Sequence, residues 1–157
     1  VDIMEQSLIV AAAAAIQELD GYEPEELYAE LEIRRRAIVA NPKVAGSFDV
    51  AGEYRSVVGD SLELLSSLGK NFFGKFSRDC FQLACGDDQD SAEIRGQLWH
   101  AFTDQSNFAV LLAAAAVAYG GWSPALATVG ALLVTKLIVK NAKEALCEEW
   151  RKKLPVA

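Results

Sequence analysis

The chain holds one histidine, one methionine, three cysteines and four prolines among 157 residues, and each scarcity closes off a class of function. A single histidine, His100, cannot furnish the paired Glu-x-x-His motifs of a di-metal bundle, nor the H-E-x-x-H of a zinc protease. With Cys80, Cys85 and Cys147 it makes four zinc-type ligands in name only. Cys80 and Cys85 lie five apart on one predicted helix, about 140° apart around its axis, unlike the short Cys-x-x-Cys loops that grip zinc. No Walker loop, no G-x-G-x-x-G after a strand and no G-x-S-x-G occurs. Asp87, Asp88, Asp90 and Glu93 resemble a calcium loop only until the glycine at position six and the acid at position twelve are sought, and both are missing. No catalytic residue, cofactor, metal site or small-molecule substrate is expected, and an enzyme is not.

Basic residues are missing from the first 33 positions. The early apolar stretch 8–16 therefore lacks the cationic flank of a secretory leader, and Gln17-Glu18-Leu19-Asp20 follows it where a cleavage site would need small residues. Three cysteines are too few for a disulfide framework, and their number is odd. Free thiols acting as small apolar residues follow as an expectation, as does a cytoplasmic address, with membrane association as the alternative. Asp and Glu outnumber Lys and Arg 22 to 15, for a net charge of −7. That balance argues against nucleic acid, whose binding depends on neutralising phosphates. With 52% apolar residues the chain is not disordered, and its length fits one domain over residues 1–157.

What is abundant is helix-forming. Twenty-five alanines and eighteen leucines favour helix, and the prolines Pro24, Pro42, Pro124 and Pro155 all fall where a helix starts or has just stopped. The pattern predicts an all-α protein, an elongated antiparallel helical bundle of about five helices with a buried apolar hairpin. The first helix is expected over 2–19, ending at Asp20-Gly21. The second opens at Pro24, with Glu25 and Glu26 in its first turn, and ends at Asn41-Pro42. Leu27, Leu31 and Ile38 are its buried positions, and Glu30–Arg34 and Glu32–Arg36 are i,i+4 ion pairs in the favourable order. After a loop at 43–47, apolar residues recur at helical spacing from Tyr54 through Leu83, which predicts one long helix over 48–84 with Gly59, Gly69 and Gly74 as bend points. Asp90 or Ser91 caps a fourth helix over 91–119. Gly120-Gly121-Trp122-Ser123-Pro124 breaks it. Ser123 and Pro124 then open a fifth helix that continues past Trp150, with Val139, Ala142, Leu146 and Trp150 inward.

Residues 108–135 carry no charge. As one run they exceed the 18 or so apolar residues of a membrane span, but the Gly-Gly-Trp-Ser-Pro turn divides them into arms of about 17 Å, well short of the ~30 Å hydrocarbon layer. A charge-free helical hairpin sheltered by amphipathic helices is similar in architecture to the pore-forming colicin domains, with no shared motif. That resemblance implies a hairpin stored for release into a bilayer. Trp122 and Tyr119 at the turn, Leu111, Leu112, Leu132 and Leu133 along the arms, and Lys136, Lys140 and Lys143 beyond them would then meet an anionic membrane.

The other function expected is protein contact, by self-association or by docking to a partner. Its motive is surplus apolar surface in a slender bundle. Phe72, Phe73, Phe76 and Phe81 cannot all face one core, so some are expected to be exposed, with Phe73 and Phe81 as partner contacts. Arg34, Arg35 and Arg36 fan over about 200° of helix and serve as salt-bridge partners or as contacts for an acidic surface.

Overall fold

The structure, a computed structural model, describes residues 6–46, 61–87, 89, 92–101, 105–138 and 146–154. Those residues are all-α. They form seven α-helices and one 3-10 turn: α1 (Gln6–Leu19), α2 (Pro24–Ala40), the 3-10 turn (Pro42–Gly46), α3 (Leu62–Cys85), α4 (Ala92–His100), α5 (Gln105–Ala118), α6 (Pro124–Leu137) and α7 (Leu146–Lys153). Among them α2 packs along α3, α5 packs along α6, and α1 and α2 cover the α5–α6 pair.

Local signals fix many of the ends. Pro24 occupies the first turn of α2, where its missing N–H costs nothing, and the Glu23 N–H donates to the Glu26 carboxylate at 3.0 Å. Ser61 caps α3 by accepting from the Leu64 N–H at 3.2 Å. Ser123 does the same for α6, accepting from Leu126 N–H at 3.4 Å, with Pro124 next. The turn between α5 and α6 closes when Gly121 takes φ +73°, a conformation that suits glycine, and the Trp122 N–H returns to the Ala116 carbonyl at 3.1 Å.

The long helices expected from the pattern are divided. The predicted fourth helix is two, α4 and α5, with Ala101 in a turn after His100. The predicted fifth helix ends at Leu137, and the chain is helical again from Leu146. In the third, the described part (62–85) is continuous, so Gly69 and Gly74 are not breaks. Gly69 lies instead against α2: a Cβ there would sit 1.8 Å from the Tyr28 carbonyl oxygen. The glycine is a point of contact between two main chains. Residues 48–60, Gly59, Asp90, Ser91, Val139, Lys140, Ala142 and Lys143 lie outside the described residues.

The core is built around α6. Every residue from Ala125 to Thr135 is buried, as are Phe108, Ala109 and Leu112 to Ala116 of α5. Small side chains let the two helices approach closely, and at Gly130 the ring of Phe76 from α3 fills the space a side chain would take. A Cβ at Gly130 would be 2.4 Å from Phe76 Cε2. The two hydroxyls in this apolar helix are satisfied internally, Thr128 donating to the Pro124 carbonyl and Thr135 to that of Ala131, each at 2.8 Å.

The cysteines correct the expectation of free thiols. Cys85, the last residue of α3, is disulfide-bonded to Cys147 in the first turn of α7, across a sequence separation of 62. Packing brings them together. Trp150 of α7 donates its Nε1–H to Ser77 Oγ at 2.9 Å and stacks edge-on against Phe81 at 5.7 Å, which seats the start of α7 on the end of α3. Cys80 alone is free, fully buried as a small apolar residue, and burial, with Asp79 beside it, holds its thiol pKa well above the ordinary value.

Candidate functional site

Three features stand out as candidate sites: the α5–α6 hairpin with its fastenings, a cavity beside the end of α6, and the exposed Leu64 and Leu68 of α3. The hairpin is tied down at three places by polar contacts from the surrounding helices. At its tip, Trp122 Nε1–H donates to Asp79 Oδ2 at 3.0 Å, and its ring meets Phe72 and Phe76 edge-on at 5.6 and 4.9 Å. At the start of α6, Arg34 Nη1 donates to the Ala125 carbonyl at 2.9 Å. At its far end, Lys136 Nζ donates to the carbonyls of Asp20 and Tyr22 at 2.5 and 2.7 Å, binding α6 to the turn after α1.

Arg34 departs most from its expected place. The Glu30–Arg34 pair forms at 2.9 Å, as its spacing predicts, yet both side chains are only 2% exposed. An ion pair withdrawn from water needs its remaining hydrogen-bonding capacity met, and the Ala125 carbonyl supplies part of it. Arg35 and Arg36 both close on Glu32. Arg35 grips it with two bonds at 2.7 and 2.8 Å, and Arg36 with one at 2.7 Å. Burial alone would push the Glu32 carboxyl up, but the hydrogen bonds from Arg35 and Arg36 and then their charges outweigh it, and its pKa falls below the usual value. The arginine triplet is thus engaged within α2 and with α6.

The aromatics expected on the surface are mostly inside. Phe73 is 8% exposed under Tyr28, Phe81 is 6% exposed under Trp150, and Phe76 is fully buried against Gly130. Phe72 is half-buried. Sequence periodicity placed these rings on more than one side of α3, which is correct, but helices packed on several sides of α3 cover them. The other named residues divide similarly. Leu112, Leu132 and Leu133 are buried, Leu111 and Lys136 are half-buried, and Tyr119 is 40% exposed at the turn.

Sequence reasoning missed the cavity of about 400 Å³ between α2, α3, α6 and α7, since its lining is drawn from four separate elements. Phe73, Leu137 and Ile138 give it apolar walls, and Tyr28, Ser77, Lys70 and Lys153 bring polar groups to it. Lys70 stands 5.9 Å from the Tyr28 ring centroid, and Lys153 Nζ donates to the Leu137 carbonyl at 2.9 Å.

Among the described residues, no group of three or more His, Cys, Asp or Glu side chains is placed to hold a metal ion. No described helix is long and apolar enough to cross a membrane. Comparison with known protein families, with curated proteins and with solved structures finds no match to this chain.

Proposed function

We propose that this chain is a non-enzymatic helical module that works by contact, self-associating or docking to a protein partner. The observation that carries this reading is a stripe on α3: Leu64 and Leu68 are 46% and 37% exposed, and the half-buried Phe72 continues the i,i+4 row toward Trp122. Apolar side chains at that spacing on an open helix face fit another helix or a second copy of the same surface. This stripe takes the place of Phe73 and Phe81 as the contact candidate. In this reading the helices form an elongated antiparallel bundle around the apolar hairpin. The Cys85–Cys147 bond supports action in oxidising surroundings, where such crosslinks persist. The cytoplasmic expectation rested on free thiols and on the missing secretory leader, and the bond bears on the first of these.

The test is solution mass by light scattering over a range of concentrations, for the native chain and for Leu64→Glu/Leu68→Glu. A discrete oligomer that the double substitution returns to monomer supports the proposal. A native monomer at every concentration that also captures no partner through this face overturns it.

A second reading is favoured by a separate observation: α6 is buried continuously from Ala125 to Thr135, with Trp122 at the tip of its hairpin. It makes the chain a membrane-active effector that releases residues 108–135. Helices of 14 residues reach about 21 Å, so the hairpin would enter one leaflet rather than span the bilayer. Dye release from anionic liposomes, abolished by Trp122→Arg in a chain that remains folded, would favour it. Intact vesicles would remove it.

A further inference from the structure

We propose that the cavity between α2, α3, α6 and α7 is a binding site for an amphipathic carboxylate, an acyl chain whose acidic head meets Lys70 and Lys153. Its volume of about 400 Å³ lies within the range of small-ligand sites, and its walls of Phe73, Leu137 and Ile138 suit a hydrocarbon tail.

The polar lining is one-sided. Its polar lining residues are Lys70 and Lys153, which carry ammonium groups, and Tyr28 and Ser77, which carry hydroxyls. No carboxylate stands among the described lining residues, in a chain whose net charge is −7. Among the described residues neither lysine is paired with an acid: Lys70 faces the Tyr28 ring, and Lys153 donates to the Leu137 carbonyl. Two lysines lining one apolar cavity, with no described carboxylate in that lining, are an electrostatic match for one anionic head.

The hydroxyls agree. Ser77 is 3% exposed, and its oxygen accepts the Trp150 Nε1–H. Among the described residues nothing accepts the Ser77 proton, which leaves a buried donor beside the cavity. Serine and threonine inside helices commonly donate to the carbonyl four residues back, as Thr128 and Thr135 do here, and Ser77 does not. Burial raises the pKa of Tyr28, so its phenol stays a neutral donor at physiological pH. All four polar side chains in the lining can therefore donate, and a ligand bearing acceptors on a charged head and no polar groups on its tail completes them.

The test is isothermal titration calorimetry of the intact, disulfide-bonded chain with three probes below their micellar concentrations: decanoate, decanol and butyrate. Decanoate is expected to bind at least tenfold more tightly than either of the others, since only it has both head and tail. Lys70→Gln/Lys153→Gln, at two solvent-facing positions, is expected to lose at least tenfold in decanoate affinity and to leave the weak decanol isotherm unchanged. Ser77→Ala is expected to weaken decanoate by a smaller factor. Circular dichroism of each variant establishes that it is folded. Equal affinity for decanol and decanoate would show apolar partition alone and overturn the proposal. So would decanoate binding indifferent to the double lysine substitution, or no binding at all. Phosphatidylcholine vesicles with and without phosphatidylglycerol separate a free acid from a lipid surface. Binding to the anionic vesicles without any uptake of decanoate would place the recognition on the protein's exterior and sink the cavity site.

Discussion

Gly69 and Tyr28 meet main chain to main chain. The closeness of α2 to α3 at this point leaves no room for a side chain on α3, since a Cβ at Gly69 would lie 1.8 Å from the Tyr28 oxygen. Backbone cannot swing aside as a flexible side chain can. Gly69→Ala is therefore expected to destabilise the fold by about 3 kcal/mol or more. Gly96 in α4 is the control, because a Cβ there meets nothing within 4 Å. Gly96→Ala should stabilise by up to about 1 kcal/mol through helix propensity. Urea unfolding of both variants checks the pair, and equal effects would contradict the close approach.

The buried ion pair predicts an asymmetry between breaking it and replacing it. Arg34→Met leaves the Glu30 carboxylate, 2% exposed, without the guanidinium that faces it, and should cost about 3–5 kcal/mol. Glu30→Leu/Arg34→Met removes both charges and should fall well short of the summed single losses. A double-mutant cycle from denaturant unfolding measures the difference, and additive losses would argue against a direct pair.

Thiol chemistry should find nothing to react with in the folded, unreduced protein. Cys85 and Cys147 are bonded to each other, and Cys80 is buried with its thiol held protonated. Maleimide labelling followed by mass spectrometry is expected to add no label under native conditions, one after unfolding, and three after unfolding with reductant. Closing a loop of this length limits the unfolded chain, so Cys85→Ala/Cys147→Ala should lose about 4 kcal/mol.

Acid should weaken the fold through Glu32. Its carboxyl pKa is lower in the folded chain than in the unfolded one, so over that interval the unfolded chain binds more protons. The stabilisation is fully present above the unfolded carboxyl value, about 4.3, and is lost as pH falls through the lower folded value. Glu32→Gln should lower Tm at pH 7 and flatten the acid limb of the Tm–pH curve. An acid limb identical to that of the native chain would remove Glu32 as its source.

Much of this fold is written in short-range signals. The stop after Leu19, the bounds of α2, the turn at 119–123 and the opening of α6 at Ser123-Pro124 follow from glycine, proline and capping chemistry within a few residues. The Glu30–Arg34 and Glu32–Arg36 pairs follow from helical spacing alone. What escaped is whatever depends on helices distant in sequence coming together. Arg34 is buried because Ala125 lies beside it, 91 residues on. Phe81 is covered because Trp150 arrives over it, and the same arrival pairs Cys85 with Cys147. The cavity takes one or more residues from each of four helices or their ends, so no stretch of sequence announces it. The division of the predicted fourth helix at Ala101 had no glycine or proline to mark it.

The seat of Phe76 on Gly130 couples two helices. The ring occupies a gap in the surface of α6, so α6 cannot slide past α3 until the ring has been withdrawn. The ring is carried by α3, and the last residue of α3 is covalently held to α7. A shift of α3 away from α6 therefore carries the start of α7 with it, and the packing of the uncharged hairpin is tied to a helix that follows it in the chain.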